Sequence, residues 1–257
     1  MHNSAIPSPI HPILRDCAQE PLARCATDLA RRGTCLVLVE RSIPRDGLPL
    51  PLPQEREEAA RFPDPLRADG YVLRRQIARA IIAEAIGIEA GRLRLQANAA
   101  GAVQIEGVSA PLHLSFSARG AFGLIGIAHQ PLGVDLELPI APDAIPFNLL
   151  RPDERESIMA QPLKERSASF LHLWTLKEAI AKALGRGFAI APEEIRLPSS
   201  PVPPQAGFEW RARNNHWMPH AACLLTWQIN RALCLSRSNN QNGMKERLFL
   251  ATALLPA

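Results

Sequence analysis

Ile180-Ala181-Lys182-Ala183-Leu184-Gly185 repeats the pattern of Ile82-Ala83-Glu84-Ala85-Ile86-Gly87, and this echo decides the reading of the fold. Each stretch carries apolar residues at helical spacing and stops at a glycine, the residue that closes a helix in a left-handed turn. Outward from these ends the likeness continues. Pro53-Gln54-Glu55-Arg56-Glu57 and Pro152-Asp153-Glu154-Arg155-Glu156 both read as helix starts, and the interval from Glu55 to Gly87 differs by one residue from that between Glu154 and Gly185. Long helices are expected over about Tyr71 to Ile86 and about Ser169 to Leu184. Each copy opens with a strand-like run, Cys35 to Glu40 in the first and Gly133 to Leu138 in the second. A short strand is expected after each helix, Arg92 to Leu95 and Glu194 to Leu197.

Further β segments follow each helix: Val103 to Glu106, Leu112 to Ser117 and Ala121 to Ala128, then Phe208 to Arg213, Cys223 to Ile229 and Ala232 to Ser236. The ordered match argues for a duplicated α+β unit with a ligand cleft between its halves. The competing reading is that helix-plus-strand proteins share this vocabulary by chance. The chain divides into an N-terminal extension at 1–32, a first α+β half at 33–131, a second half with a metal site at 132–237, and a C-terminal tail at 238–257 that includes the apolar stretch Leu248 to Leu255.

With 257 residues, 47% of them apolar, the chain can bury one large core or two smaller ones. A net charge of +4 without any block of basic residues fits an anionic small molecule or an acidic protein better than nucleic acid. Five cysteines, none in a C-x-x-C pair, argue against a disulfide framework or a zinc site and for a reducing cytoplasm. Neither a signal peptide nor a membrane span is read from the sequence.

The chemistry concentrates in Gly133-Val134-Asp135-Leu136-Glu137-Leu138. Residues two apart on a strand share a face, so Asp135 and Glu137 project together while Val134, Leu136 and Leu138 face a core. Paired carboxylates suit Mg²⁺, and an ordinary strand with a polar face would look the same. On the second long helix Glu178 and Lys182 stack one turn apart, off the buried stripe of Phe170, Leu173, Leu176, Ile180 and Leu184. They read either as a surface ion pair or as a third carboxylate with an ammonium placed against a phosphate.

Gly133-Val134-Asp135-Leu136-Glu137 followed by Trp174-Thr175-Leu176-Lys177-Glu178-Ala179-Ile180-Ala181-Lys182 resembles the paired signature of 4′-phosphopantetheinyl transferases, G-(I/V)-D-x-E and W-(S/C/T)-x-K-E-(A/S)-x-x-K. The likeness covers roughly residues 35 to 197, and the two-half size resembles the Sfp-type branch. It implies two similar halves related by a pseudo-twofold axis. It also implies transfer of the phosphopantetheine arm of coenzyme A to a serine of an apo acyl or peptidyl carrier protein, with release of 3′,5′-ADP. By the resemblance Asp135, Glu137 and Glu178 hold Mg²⁺, Glu178 takes the serine proton, and Lys182 meets the pyrophosphate. Ser115, Phe116 and Ser117, together with Arg61 and Arg75, stand where coenzyme A is gripped, with Arg79 a further candidate. Lys177 and Arg186 are candidates to balance the acidic site. Phe116 stands where the family usually has histidine, His113 where it has asparagine, and Ala102 and the glutamates Glu55 and Glu58 where relatives carry lysines. The alternative is a coenzyme A or carrier-protein binding module that kept the fold and lost turnover. Partners implied are coenzyme A and a carrier protein, with no nucleic acid and no membrane, and the duplicated chain is expected to act as a cytoplasmic monomer.

Overall fold

The computed structural model describes residues 14–18, 20–99, 101–185, 190–195, 197, 207–208, 222–232 and 245–254, the last three ranges as backbone strands. Its architecture is α+β. In chain order the elements are β1 (Leu14–Asp16), α1 (Leu22–Arg32), β2 (Thr34–Glu40), α2 (Pro53–Ala60), α3 (Pro65–Ile86), β3 (Arg94–Ala97), β4 (Val103–Glu106), β5 (His113–Arg119), β6 (Phe122–Ala128), β7 (Leu132–Glu137), α4 (Pro152–Met159), α5 (Leu163–Ala183), β8 (Gly207–Phe208), β9 (Ala222–Ala232) and β10 (Lys245–Leu254). Two sheets result, one ordered β1-β2-β6-β5-β4-β3 and the other β7-β10-β9-β8. Among the described residues all strand pairings are antiparallel except β1 with β2. No helix among the described residues is long and apolar enough to cross a membrane.

Strand β2 shows why the first sheet is central. Every one of its residues is buried, which requires cover on both faces. Cys35, Val37 and Val39 pack with α1 and α3 through Cys25, Leu29, Leu73 and Ile77. Leu36 and Leu38 pack the other way, with Leu132, Val134 and Leu136 of β7. Strand β7 is thus wedged between the sheets. It belongs to the second by hydrogen bonding and to the first by packing.

The expected glycine stops are present: Gly87 follows α3 at φ 71° and Gly185 follows α5 at φ 67°. Both helices begin earlier than their apolar spacing predicts. In α3, Asp64 accepts a hydrogen bond from the Leu66 N–H at 2.9 Å just before Pro65, a start signal that periodicity does not register.

Three expectations are corrected. Residues Pro192–Glu194 form a 3₁₀ turn, and Ile195 follows it extended but outside any strand. What was read as two strands around Cys223 to Ile229 and Ala232 to Ser236 is one strand, β9, within the described residues; 209–213 and 233–236 lie outside them. The apolar stretch Leu248 to Leu255 is not in a tail. It falls in β10, which pairs with β7 on one side and β9 on the other. An apolar run of that length is too short to be read without knowing its pairing partners. Helix α1, inside the stretch read as an extension, supplies Cys25, Ala26 and Leu29 to the first core.

The two long helices are each tied down by a buried cation. In the first, Arg79 is fully buried. It donates Nε to Glu55 Oε1 at 2.9 Å and Nη2 to Glu55 Oε2 at 3.0 Å, with further bonds to the carbonyls of Leu50 and Ala90. Glu55 also accepts the N–H of Leu52, capping α2. In the second, Lys177 donates to Glu154 at 2.7 Å and to the Pro192 carbonyl at 2.9 Å, and Glu154 accepts the N–H of Arg151, capping α4. Ala90 and Pro192 each open a 3₁₀ turn after their helix. The same clasp is built twice. Glu55→Gln should cost about 3–5 kcal/mol by leaving Arg79 buried against a neutral partner, measured by urea unfolding; a cost below about 1 kcal/mol would show the pair to be dispensable.

Candidate active site

The site depends on how closely α5 approaches β7. A Cβ placed on Gly133 would lie 1.8 Å from the Ala179 carbonyl oxygen and 2.5 Å from the Ala183 nitrogen, so only glycine admits the helix backbone here. The contact is made by the backbone of Ala179 and Ala183, and Glu178 and Lys182 each precede one of them in the chain. The alternation expected for β7 is observed: Val134 and Leu136 are fully buried in the inter-sheet core. Asp135 and Glu137 reach the region beside α5.

Lys182 donates to Asp135 Oδ1 at 2.6 Å and to the Val134 carbonyl at 3.1 Å. Ser117 of β5 donates to the same Asp135 oxygen at 2.9 Å and accepts the N–H of Leu136. Asp135 is 3% exposed, and its other oxygen, Oδ2, is buried without a hydrogen-bond partner among the described residues. Glu137 is held in a two-bonded grip by Arg119, at 2.7 and 2.8 Å. Glu178 completes the group electrostatically. Burial raises its pKa, Asp135 raises it further, Lys182 pulls it down, and Glu137 pushes it up again.

Two of the three carboxylates therefore have cationic partners, and the third is pushed toward its protonated form. Among the described residues no three carboxylate, histidine or cysteine side chains already form a metal cage. The donor set nevertheless suits a hard divalent cation. It offers carboxylate oxygens alone, one of them buried and unpartnered, and a neighbouring carboxyl whose ionisation a cation would favour.

The other residues singled out from the sequence are distributed differently. Ser115 is buried and its hydroxyl accepts the Val134 N–H, so the hydroxyls of Ser115 and Ser117 both tie β5 to β7. Phe116 points to the opposite side, where the Arg75 guanidinium lies 5.2 Å from its ring centroid and 3.5 Å from that of Tyr71. Arg61 is exposed and pairs with Glu57 and Glu58 on its own helix. Arg79 and Lys177 are corrected: both are buried in the structural clasps, and neither faces the acidic group. Arg186 lies outside the described residues. Burial lowers the pKa of His113, as expected for a neutral strand histidine. Sequence reasoning missed Arg119, although its place two residues after Ser117 on the same strand face was a usable signal.

Residues 131–227 match the family model described as the 4′-phosphopantetheinyl transferase superfamily. Over 137 residues, 53% of this chain, it is 26% identical to the 4′-phosphopantetheinyl transferase psf-1 of Bacillus pumilus, covering 58% of that protein. It is 25% identical over 140 residues to 4′-phosphopantetheinyl transferase Sfp of Bacillus subtilis strain 168, covering 54% of this chain and 62% of Sfp. With 4′-phosphopantetheinyl transferase HetI of Nostoc sp. the identity is 28% over 157 residues, covering 58% and 65%. The matched region spans less than two thirds of each of these relatives. The resemblance read from the two motifs is borne out, and the region holding β7 and α5 is the part of the chain that matches this superfamily model.

Gly133→Ala should lower the thermal midpoint and abolish whatever activity the cluster supports, since helix backbone has no slack to yield; a stable, active variant would show that the close approach is not required. A second expectation concerns pH. Folding holds the Glu178 proton to higher pH than the unfolded chain does, so its ionisation costs stability as pH rises through the raised value. It costs nothing in strong acid, where both states are protonated. Glu178→Gln should therefore raise the thermal midpoint near neutral pH and leave it unchanged in acid.

Proposed function

We propose that this protein transfers the 4′-phosphopantetheine arm of coenzyme A to a serine of an apo acyl or peptidyl carrier protein and releases 3′,5′-ADP. One observation carries the proposal. Lys182 of a distant helix meets Asp135 of the strand at 2.6 Å, and Glu178 feels the charges of Asp135, Lys182 and Glu137, within a segment that matches the superfamily model.

Asp135, Glu137 and Glu178 would hold Mg²⁺. When bound, the ion would supply neutralisation of the coenzyme A pyrophosphate, the main requirement of phosphoryl transfer. The protein's own groups do the rest. Glu178, its carboxyl shifted upward toward the working pH, accepts the proton of the carrier serine. The serine oxygen forms its bond to the phosphorus next to the pantetheine as the bond to the bridging pyrophosphate oxygen breaks. Lys182, held by Asp135 and the Val134 carbonyl, stabilises the charge that collects on the departing 3′,5′-ADP. Ser117 and Arg119 orient Asp135 and Glu137. The paired clasps of Glu55 with Arg79 and Glu154 with Lys177 support two halves related by pseudo-twofold symmetry, as in the Sfp-type branch.

The test is a mass measurement on apo carrier protein incubated with the chain, coenzyme A and Mg²⁺. A gain of about 340 Da is expected; binding without that gain would instead make the protein a coenzyme A or carrier-binding module. Asp135→Ala should reduce the rate at least about a hundredfold while circular dichroism stays unchanged, and near-normal modification would overturn the metal assignment.

A further inference from the structure

Asp135 and Glu137 stand two residues apart on one strand, yet their oxygens are not equally open. Lys182 and Ser117 both donate to Oδ1 of Asp135, and Oδ2 is left without a hydrogen-bond partner among the described residues. Asp135 can therefore meet a cation through Oδ2 while it keeps its lysine. Glu137 has no such reserve. Arg119 donates Nε to its Oε2 at 2.7 Å and Nη2 to its Oε1 at 2.8 Å, so one guanidinium covers both oxygens. A lone pair remains on each, but a divalent ion using it would sit beside a group of like charge.

The guanidinium answers to the cluster as a whole. Its pKa is raised, chiefly by the hydrogen bonds to Glu137 and further by the charges of Glu137, Asp135 and Glu178. These are the three carboxylates that a divalent ion would also meet. The two members of the pair differ in freedom. The Glu137 side chain is 12% exposed, on a strand paired with β10 and packed against the first sheet. That of Arg119 is 55% exposed, at the last residue of β5 and just before the turn at Gly120, where φ is 56°. Breaking the pair returns a long arginine to water at little cost, and the carboxylate stays in place.

We propose that Arg119 is a resident counter-ion of the metal site, holding both oxygens of Glu137 until a divalent cation displaces it and so setting the affinity for that cation. The identity of the ion rests on the function proposed above; the role of Arg119 rests on the two-bonded grip. An arginine that served only to tie β5 to β7 would keep Glu137 in position and strengthen metal binding. One that must leave first weakens it, because only the fraction of molecules with Glu137 released can take the ion. The sign of the effect separates the two roles.

The test titrates Mn²⁺ into the full chain without coenzyme A, following free Mn²⁺ by electron paramagnetic resonance. Arg119→Gln should bind Mn²⁺ at least about threefold more tightly than the wild type. Arg119→Lys, which keeps the charge and loses the fork, should fall between them. In the wild type the Arg119 Nε–H resonance, identified by its loss in Arg119→Lys, should lose its protection from exchange with water when Mg²⁺ is added. Unchanged or weaker Mn²⁺ binding in Arg119→Gln, an Nε–H that stays protected in Mg²⁺, or no Mn²⁺ binding by either protein would overturn the inference. Tighter binding by Arg119→Gln in a chain that never modifies carrier would leave this role standing and defeat the transfer reading. Carrier modification with a Mn²⁺ affinity indifferent to Arg119 would do the reverse.

Discussion

The contact between the Gly133 backbone and the backbone of α5 is the constraint on which the rest of the site depends. Side chains such as Glu178 and Lys182 have limited reach, and they meet Asp135 only because the helix lies directly on the strand. Ala179 and Ala183 are the small residues that let it do so, and a Cβ at Gly133 would fall 1.8 Å from the Ala179 carbonyl. The strand must also hold still under the helix. Its apolar face is locked into the first sheet by Val134 and Leu136, its polypeptide N–H groups are met by Ser115 and Ser117, and β10 pairs along it. A strand fixed by two sheets and a helix is a rigid base for two carboxylates.

Charge is handled in two contrasting ways. Arg79 and Lys177 are compensated fully, each by a glutamate that also caps a short helix and by carbonyl oxygens close by. These clasps stabilise the scaffold and take no part in chemistry. Around the acidic cluster the compensation is incomplete. Among the described residues, Asp135 keeps a buried oxygen without a partner and Glu178 is pushed toward protonation. Incomplete compensation inside a well-satisfied fold marks the places where a ligand's charge belongs.

Glu178, Lys177 and Lys182 show where local reading ends. All three sit on α5 within two turns, yet Lys177 is buried against Glu154 while Lys182 reaches Asp135. The long helices, their glycine stops, the alternation on β7 and the two-motif signature were legible in the sequence because each is set by residues a few positions apart. Strand β10 was not. Its apolar run has the length of a strand and no periodicity of its own, and its identity depends on β7, more than a hundred residues earlier in the chain.

The sequence by itself determined which residue types were available and which faces of strand and helix they occupy, since 2.0 and 3.6 residue periods are properties of the local backbone. Only the tertiary structure decided which cation serves which carboxylate, and that the Ser115 and Ser117 hydroxyls are used to hold a strand. Those outcomes depend on how closely separate elements approach, and such distances are set by packing between segments that no local pattern connects.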